Sequence, residues 1–145
     1  VSANFGGKHL DKVKALIIQF DKLKVELKIN EKTSSYELIN KIKGDYWFNI
    51  GDYLSSISYY AKTIEMMKNS DPKKPVVYFN LGCSYYFYKK YQKAIEHLNL
   101  CINAYRVFEY EQKTYDILTR RDIILKKVKS IKRLIGLVEN QKLKN

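Results

Sequence analysis

The sequence predicts an all-α fold made of antiparallel helix pairs, with one helix before the pairs and a long helix after them. Apolar residues recur every three or four positions along most of the 145 residues, which is the period of an amphipathic helix. No stretch alternates apolar and polar residues as a strand does. One segment also occurs twice, 38 residues apart, and repeated units of this kind bury their apolar faces against their neighbours.

The first predicted helix covers residues 8–28. Its apolar residues form a single stripe, at Leu10, Val13, Ile17, Phe20, Leu23 and Leu27. Most of the lysines, together with Asp21, lie off this stripe, so we expect an amphipathic helix with one buried face.

Residues 36–68 are the first copy of the repeat, predicted as two helices. Ser34 and Glu37 have the Ser-x-x-Glu spacing of a capping box, in which the two side chains satisfy free backbone N–H groups at the helix start. We expect this helix to end near Asn49, because Gly51 can adopt the left-handed conformation that ends a helix. A second helix is expected over about residues 52–68.

Residues 75–106 are the second copy. Pro75 suits the first turn of a helix, where a missing N–H costs nothing, and this helix is predicted to run to about Tyr88. A tight turn at Lys89 and Lys90 leads into a helix over about residues 92–106. Gly82 of this copy corresponds to Gly44 of the first, and Leu98 corresponds to Tyr60.

Two helices joined by a short turn, with a glycine midway along the first, resemble the tetratricopeptide repeat over about residues 36–106. Gly44 and Gly82 leave out a side chain where the paired helices approach most closely. The resemblance implies a right-handed superhelical stack of helix pairs, an α-solenoid. The first copy departs from the family pattern at Lys43, where a leucine is expected, and the period of 38 exceeds the usual 34.

The resemblance also implies a concave groove, lined by the first helix of each repeat, that binds a peptide or protein segment. Carried over by position, the groove residues of the first copy are Leu38, Lys41, Asp45, Phe48 and Asn49. Those of the second copy are Val76, Phe79, Asn80, Cys83, Tyr86 and Phe87. The alternative is that many of these side chains pack against flanking helices.

One subfamily of the repeat clamps acidic C-termini of chaperones with lysine, asparagine and arginine side chains. Lys41 and Asn80 stand at two of the clamp positions, but Asp45 replaces an asparagine and would repel a carboxylate. No Lys and Arg pair follows at the spacing of a third repeat. We therefore do not expect a carboxylate clamp.

The last predicted helix covers residues 109–141 and is basic, since residues 113–145 carry 10 Lys and Arg against 3 acidic residues. Its apolar residues form a heptad-like seam, at Ile117, Ile124, Val128, Ile131, Ile135 and Val138. The seam requires a partner: the preceding repeat, another copy of the chain, or a second protein.

Five residues form the basic face of this helix: Lys126, Lys127, Lys129, Lys132 and Arg133. Three interpretations stay open for this face. The face is a solvated surface, a surface that attracts anionic membrane or nucleic acid, or part of a basic amphipathic helix that binds in a partner's groove.

The chain lacks the side-chain groupings expected of an enzyme or a metal site. His9 and His97 are the only histidines, Cys83 and Cys101 are 18 residues apart, and no phosphate-binding glycine-rich loop is present. We therefore expect no catalysis, no metal and no cofactor. The two cysteines are expected to be buried reduced thiols, which points to a cytoplasmic, intracellular protein.

The predicted function is a non-catalytic protein-interaction module or adaptor, a single domain over residues 1–145 whose partner is a protein or peptide. The alternatives are an assembly unit that self-associates through the C-terminal helix, and a binder of anionic membrane or nucleic acid. The chain begins with Val rather than Met, which suggests a fragment of a larger protein.

Overall fold

The computed structural model describes residues 7–27, 34–111 and 115–144, and these form six helices with no strand among them. The all-α prediction is confirmed. In chain order the helices are α1 (Gly7–Leu27), α2 (Ser34–Asn49), α3 (Tyr53–Met66), α4 (Lys74–Phe87), α5 (Tyr91–Glu111) and α6 (Tyr115–Lys144). The lead-in at residues 1–6 lies outside the described residues.

The predicted helix boundaries agree with the structure to within two residues, except between the last two helices and at the end of α6, which reaches Lys144 instead of residue 141. Helix α5 continues to Glu111 instead of ending at Arg106, and α6 begins at Tyr115. No glycine or proline occurs between these positions, so the sequence holds no local signal for the boundary.

The chain divides into two compact units, with the boundary between Met67 and Lys68. The first unit contains α1, α2 and α3, and the second contains α4, α5 and α6. Each unit holds one copy of the repeat.

In the first unit, α2 and α3 pack where Gly44 meets Tyr60. A Cβ atom at Gly44 would lie 2.6 Å from two ring carbons of Tyr60, so only glycine allows this approach. Helix α1 contacts α2 through an edge-to-face pair of Phe20 and Tyr36, with ring centroids 5.9 Å apart. Lys43 joins the same two helices, since its Nζ lies 2.7 Å from Oδ1 of Asp21.

In the second unit, α4 and α5 pack at the equivalent place. A Cβ atom at Gly82 would lie 2.6 Å from Cδ2 of Leu98. Helix α6 packs against both α4 and α5 and buries Ile124, Val128 and Ile135 of its seam. Of the three partners left open for the seam, the structure shows the preceding repeat.

The turn inside each repeat has the same backbone geometry in both copies. Gly51 and Lys89, which are 38 residues apart, both have positive φ angles, of 87° and 64°. The backbone N–H of Gly51 donates to Phe48 and that of Lys89 donates to Tyr86. Asp52 and Lys90 donate to equivalent carbonyl oxygens in the same way. The repeat read from the sequence is therefore a repeat of local structure.

None of the described helices combines the length and the apolar character that crossing a bilayer requires.

Candidate functional site

The five predicted groove residues of the first unit share one face of α2: Leu38, Lys41, Asp45 and Phe48 are spaced by three or four residues, and Asn49 is four residues from Asp45. Leu38 is 58% exposed on this face, and Lys41, Phe48 and Asn49 are partly exposed. Asp45 is buried. The α2 face is therefore open at both ends, with a buried carboxylate at its centre.

Asp45 is held by donors from its own unit. Its Oδ1 accepts a hydrogen bond from the hydroxyl of Tyr60, and its Oδ2 lies 2.7 Å from Nζ of Lys41. The side-chain amide of Asn49 donates to the backbone oxygen of Asp45 at 2.8 Å. The charges of Lys41 and Asp45 thus neutralise each other within α2.

The six predicted groove residues of the second unit lie on α4, and four of them are buried: Val76, Phe79, Asn80 and Cys83. Tyr86 is partly exposed and Phe87 is 49% exposed. In this unit only the C-terminal end of the predicted groove face presents side chains to solvent.

Asn80 is fully buried, and neither its side-chain oxygen nor its nitrogen has a hydrogen-bond partner among the described residues. An unsatisfied buried polar group costs about 1–3 kcal/mol. Because Asn80 is fully buried, its side chain is not presented to a ligand on the predicted groove face.

The two thiols are buried and free, as the sequence predicted. Burial raises the pKa of Cys83 and of Cys101 to about 12. Helix α6 packs against α4, and the ammonium group of Lys127 on α6 opposes the rise of the Cys83 pKa. Both thiols are protonated at neutral pH and are poor nucleophiles.

Aromatic rings cluster at the turn between α4 and α5. The ring of Tyr86 lies 5.2 Å from that of Phe87 and 5.9 Å from that of Tyr91, between centroids. The Nζ of Lys142 lies 5.4 Å from the centroid of Tyr91. In the first unit, Phe48 and Tyr53 occupy the positions equivalent to Tyr86 and Tyr91, and their ring centroids are 5.5 Å apart.

The basic face of α6 is only partly a free surface. Lys132 donates to Oδ1 of Asn99 on α5 at 2.9 Å, which ties it to the unit. The other four members of the face are exposed.

Beside the seam, α6 carries a second set of aliphatic side chains that sequence reasoning missed. Ile123, Leu134 and Leu137 are 47%, 46% and 54% exposed. We call these three residues the outer row. Their positions differ by 11 and 3 residues, which places them on one face of the helix. In the sequence these residues form a second apolar stripe next to the seam, but the period of a helix alone does not say which of the two stripes is buried.

Sequence reasoning also missed the role of Lys43. Its side chain is buried and paired with Asp21, and its Nζ lies 5.4 Å from the ring centroid of Tyr59. The signal in the sequence was the lysine itself, at a position where the repeat pattern has a leucine.

The side chain of His97 has structural contacts within the second unit. The ring of His97 stacks on Tyr85 at 4.9 Å, and its Nδ1 lies 2.8 Å from the backbone oxygen of Lys93. Within the described ranges, no three His, Cys, Asp or Glu side chains are grouped as metal ligands would be.

Comparisons of the chain with protein-family models, with curated proteins and with solved structures found no match. The tetratricopeptide resemblance and the superhelical stack therefore stay predictions.

Proposed function

We propose that this chain is a non-catalytic protein-interaction module that binds a helical segment of another protein. The observation that carries the proposal is the outer row of α6, three aliphatic side chains about half exposed on one face of a long helix. The residues of the predicted groove that stay exposed, Leu38, Tyr86 and Phe87 among them, are further contact points within their own units.

The outer row has the spacing of a helix-packing surface. Going along α6 from Ile123 by steps of four and three residues leads through Lys127 and Ser130 to Leu134 and Leu137. This is the heptad spacing with which one helix contacts another. A full burial of each of these aliphatic side chains contributes about 1.5–3 kcal/mol, so a partner helix here gains substantial binding energy.

The length of α6 leaves more of its surface uncovered than a capping helix requires. Helix α6 has 30 residues, about 45 Å, whereas α4 has 14 residues, about 21 Å. A helix face that stays in water is expected to be polar. The outer row is instead apolar, which favours a covering partner.

Charge indicates the chemistry of that partner. Lys127 lies on the same face of α6, between Ile123 and Leu134 of the outer row, and Lys126 and Arg133 lie beside that face. All three basic side chains are exposed. Such a surface attracts an amphipathic helix with acidic flanks and repels a second copy of this basic chain. We therefore place self-association through α6 second to binding of an acidic partner.

The third class of function is attraction to an anionic membrane or nucleic acid, and the structure offers one specific support for it. The four exposed members of the basic face lie together on α6. No aromatic side chain of the described part of α6 interleaves with them to stack on bases, which favours the protein partner.

Photo-crosslinking tests the proposal. A benzophenone amino acid is placed at Leu137, and in a matched control at Lys129 on another face of α6, in the cells that produce the protein. We expect a specific protein adduct from position 137 and none from 129. Adding Leu134→Glu is expected to abolish the adduct, since it buries a charge in the interface, whereas Lys126→Ala only weakens it.

Three outcomes contradict the proposal. An adduct with the mass of two copies of the chain identifies an assembly unit. Equal adducts from positions 129 and 137 indicate collision without a binding surface. Retention of the chain on anionic vesicles or nucleic acid that disappears with added salt, without a protein adduct, favours the anionic-surface class.

A further inference from the structure

A cleft in the second unit combines features of an anion-binding site. It has a volume of about 200 Å³ and is lined by Pro72, Lys73, Tyr105, Ile117 and Arg120. These residues come from the loop before α4, from α5 and from the first two turns of α6. The cleft is separate from the α4 face and from the outer row of α6.

The first feature is a buried hydroxyl without a partner. Tyr105 is 3% exposed, and its hydroxyl has no hydrogen-bond partner among the described residues. Burial raises the pKa of Tyr105 above its ordinary value, so the hydroxyl is protonated at neutral pH and is a donor. A buried donor in a native fold normally has an acceptor, and a ligand atom is one way to supply it.

The second feature is a guanidinium group without an ion-pair partner among the described residues. The guanidinium groups of Arg120 and Arg121 lie close enough to Tyr105 to oppose the rise of its pKa. Arg121 is paired with Asp122 at 3.2 Å, whereas Arg120 makes no ion pair with any described side chain. The nearby carboxylate of Asp71 accepts the backbone N–H of Lys73, at 2.9 Å.

The third feature is the position of the cleft at the start of α6. The N-terminus of a 30-residue helix carries a partial positive charge that favours an anion. Pro72 and Ile117 add apolar walls. The volume lies below the roughly 300 Å³ at which pockets for drug-sized ligands begin, so the cleft suits a small molecule.

We propose that this cleft binds a small organic carboxylate, with its apolar part against Pro72 and Ile117. Arg120 forms the ion pair with the carboxylate, for which the planar guanidinium fork is suited. The hydroxyl of Tyr105 donates a further hydrogen bond, and Lys73 adds positive charge at the rim. This function goes beyond the binding of a protein partner and does not depend on it.

The experiment is a titration of the full chain with benzoate, followed by backbone amide NMR. We expect saturable shifts confined to the residues around 72–73, 105 and 117–120. Arg120→Gln is expected to weaken binding about tenfold or more, and Tyr105→Phe about fivefold. The control Arg133→Gln removes an exposed charge from the same helix, away from the cleft, and leaves the affinity unchanged.

The stability of the Tyr105→Phe variant separates binding from folding. Because the hydroxyl lacks a partner, its removal is expected to leave the urea midpoint unchanged or to raise it. The proposal is overturned if benzoate gives no saturable shifts at tens of millimolar. It is also overturned if inorganic phosphate binds as tightly as benzoate and if Arg133→Gln lowers the affinity for both ligands as much as Arg120→Gln does. General charge attraction then explains the binding.

Discussion

At the scale of the residue, the two copies of the repeat keep the same backbone conformation at one turn position although the amino acid there differs. Gly51 and Lys89 occupy the same turn position with positive φ. Glycine adopts this conformation without steric cost, whereas in lysine the Cβ atom crowds the backbone. The second copy therefore carries local strain that the first copy avoids.

Replacing Lys89 by glycine is expected to stabilise the second unit by about 1 kcal/mol, since it removes this crowding. The measurement is a urea unfolding curve followed by the labelling of Cys83 and Cys101, which are buried in this unit. Lys90→Gly is the matched control because it removes the same charge at a position without positive φ. If Lys90→Gly stabilises the unit equally, loss of charge is the cause and backbone strain is not.

At the scale of the element, the helix pairs depend on glycines at their points of closest approach, and the two copies differ in what those glycines meet. The atoms nearest to Gly44 belong to the ring of Tyr60, whose hydroxyl is bound to Asp45. Those nearest to Gly82 are Cδ2 and Cγ of Leu98, followed by the backbone oxygen of Ala94 at 3.4 Å, and the aliphatic Leu98 side chain can change rotamer without breaking a hydrogen bond. The first pair is therefore the less tolerant of an added methyl group.

Both glycine-to-alanine variants are expected to destabilise their own units, and Gly44→Ala more than Gly82→Ala. Overpacking of this kind costs about 1–3 kcal/mol, partly offset by the better helix propensity of alanine. Unfolding of the first unit is followed by the fluorescence of Trp47, and that of the second by thiol labelling.

Gly136→Ala serves as the control for these variants. Gly136 lies in α6, and a methyl group on its Cα would meet no atom within 4 Å, so alanine there adds helix propensity without a clash. We expect it to stabilise the second unit by about 1 kcal/mol. Equal losses from Gly44→Ala and Gly136→Ala would contradict the close approach of α2 and α3.

At the scale of the whole molecule, the dominant property is a net charge of +12. Like charges repel within a folded chain and lower its stability, and salt screens the repulsion. The pairs of Lys43 with Asp21 and of Lys41 with Asp45 act in the opposite sense, but each is partly buried, so salt screens these attractions less than it screens the repulsion between exposed charges.

Raising the NaCl concentration from about 0.02 M to 0.5 M is therefore expected to raise the urea midpoint of the chain, because the Debye length falls from roughly 20 Å to about 4 Å. The double variant Lys126→Glu, Lys129→Glu lowers the net charge from +12 to +8, since each change removes two positive units. Its midpoint is expected to depend less on salt. A midpoint that falls with salt would show that attractive ion pairs outweigh the repulsion.

The candidate surfaces were only partly predictable from the sequence. Position within the repeat placed all eleven groove candidates on α2 and α4. It did not reveal that Asp45 is bound by Tyr60 and Lys41, or that Asn80 is buried without a partner among the described residues. The pair of Asp45 with Lys41 spans four residues and was open to sequence reasoning, whereas the hydrogen bond from Tyr60 comes from 15 positions away. That bond and the burial of Asn80 depend on tertiary structure, which a local pattern does not contain.

The sequence by itself determined the helices, the turn within each repeat and the glycines at the helix crossings. The helices and the turn follow from interactions over a few residues, namely the period of three and four and the conformational freedom of Gly51. The crossings were readable because Gly44 and Gly82 lack side chains at equivalent positions of the two copies, although each meets a residue 16 positions away. Tertiary structure alone decided that the seam of α6 is buried while the outer row is exposed. Both stripes have helical spacing, and only the position of α4 and α5 determines which of them loses its contact with water.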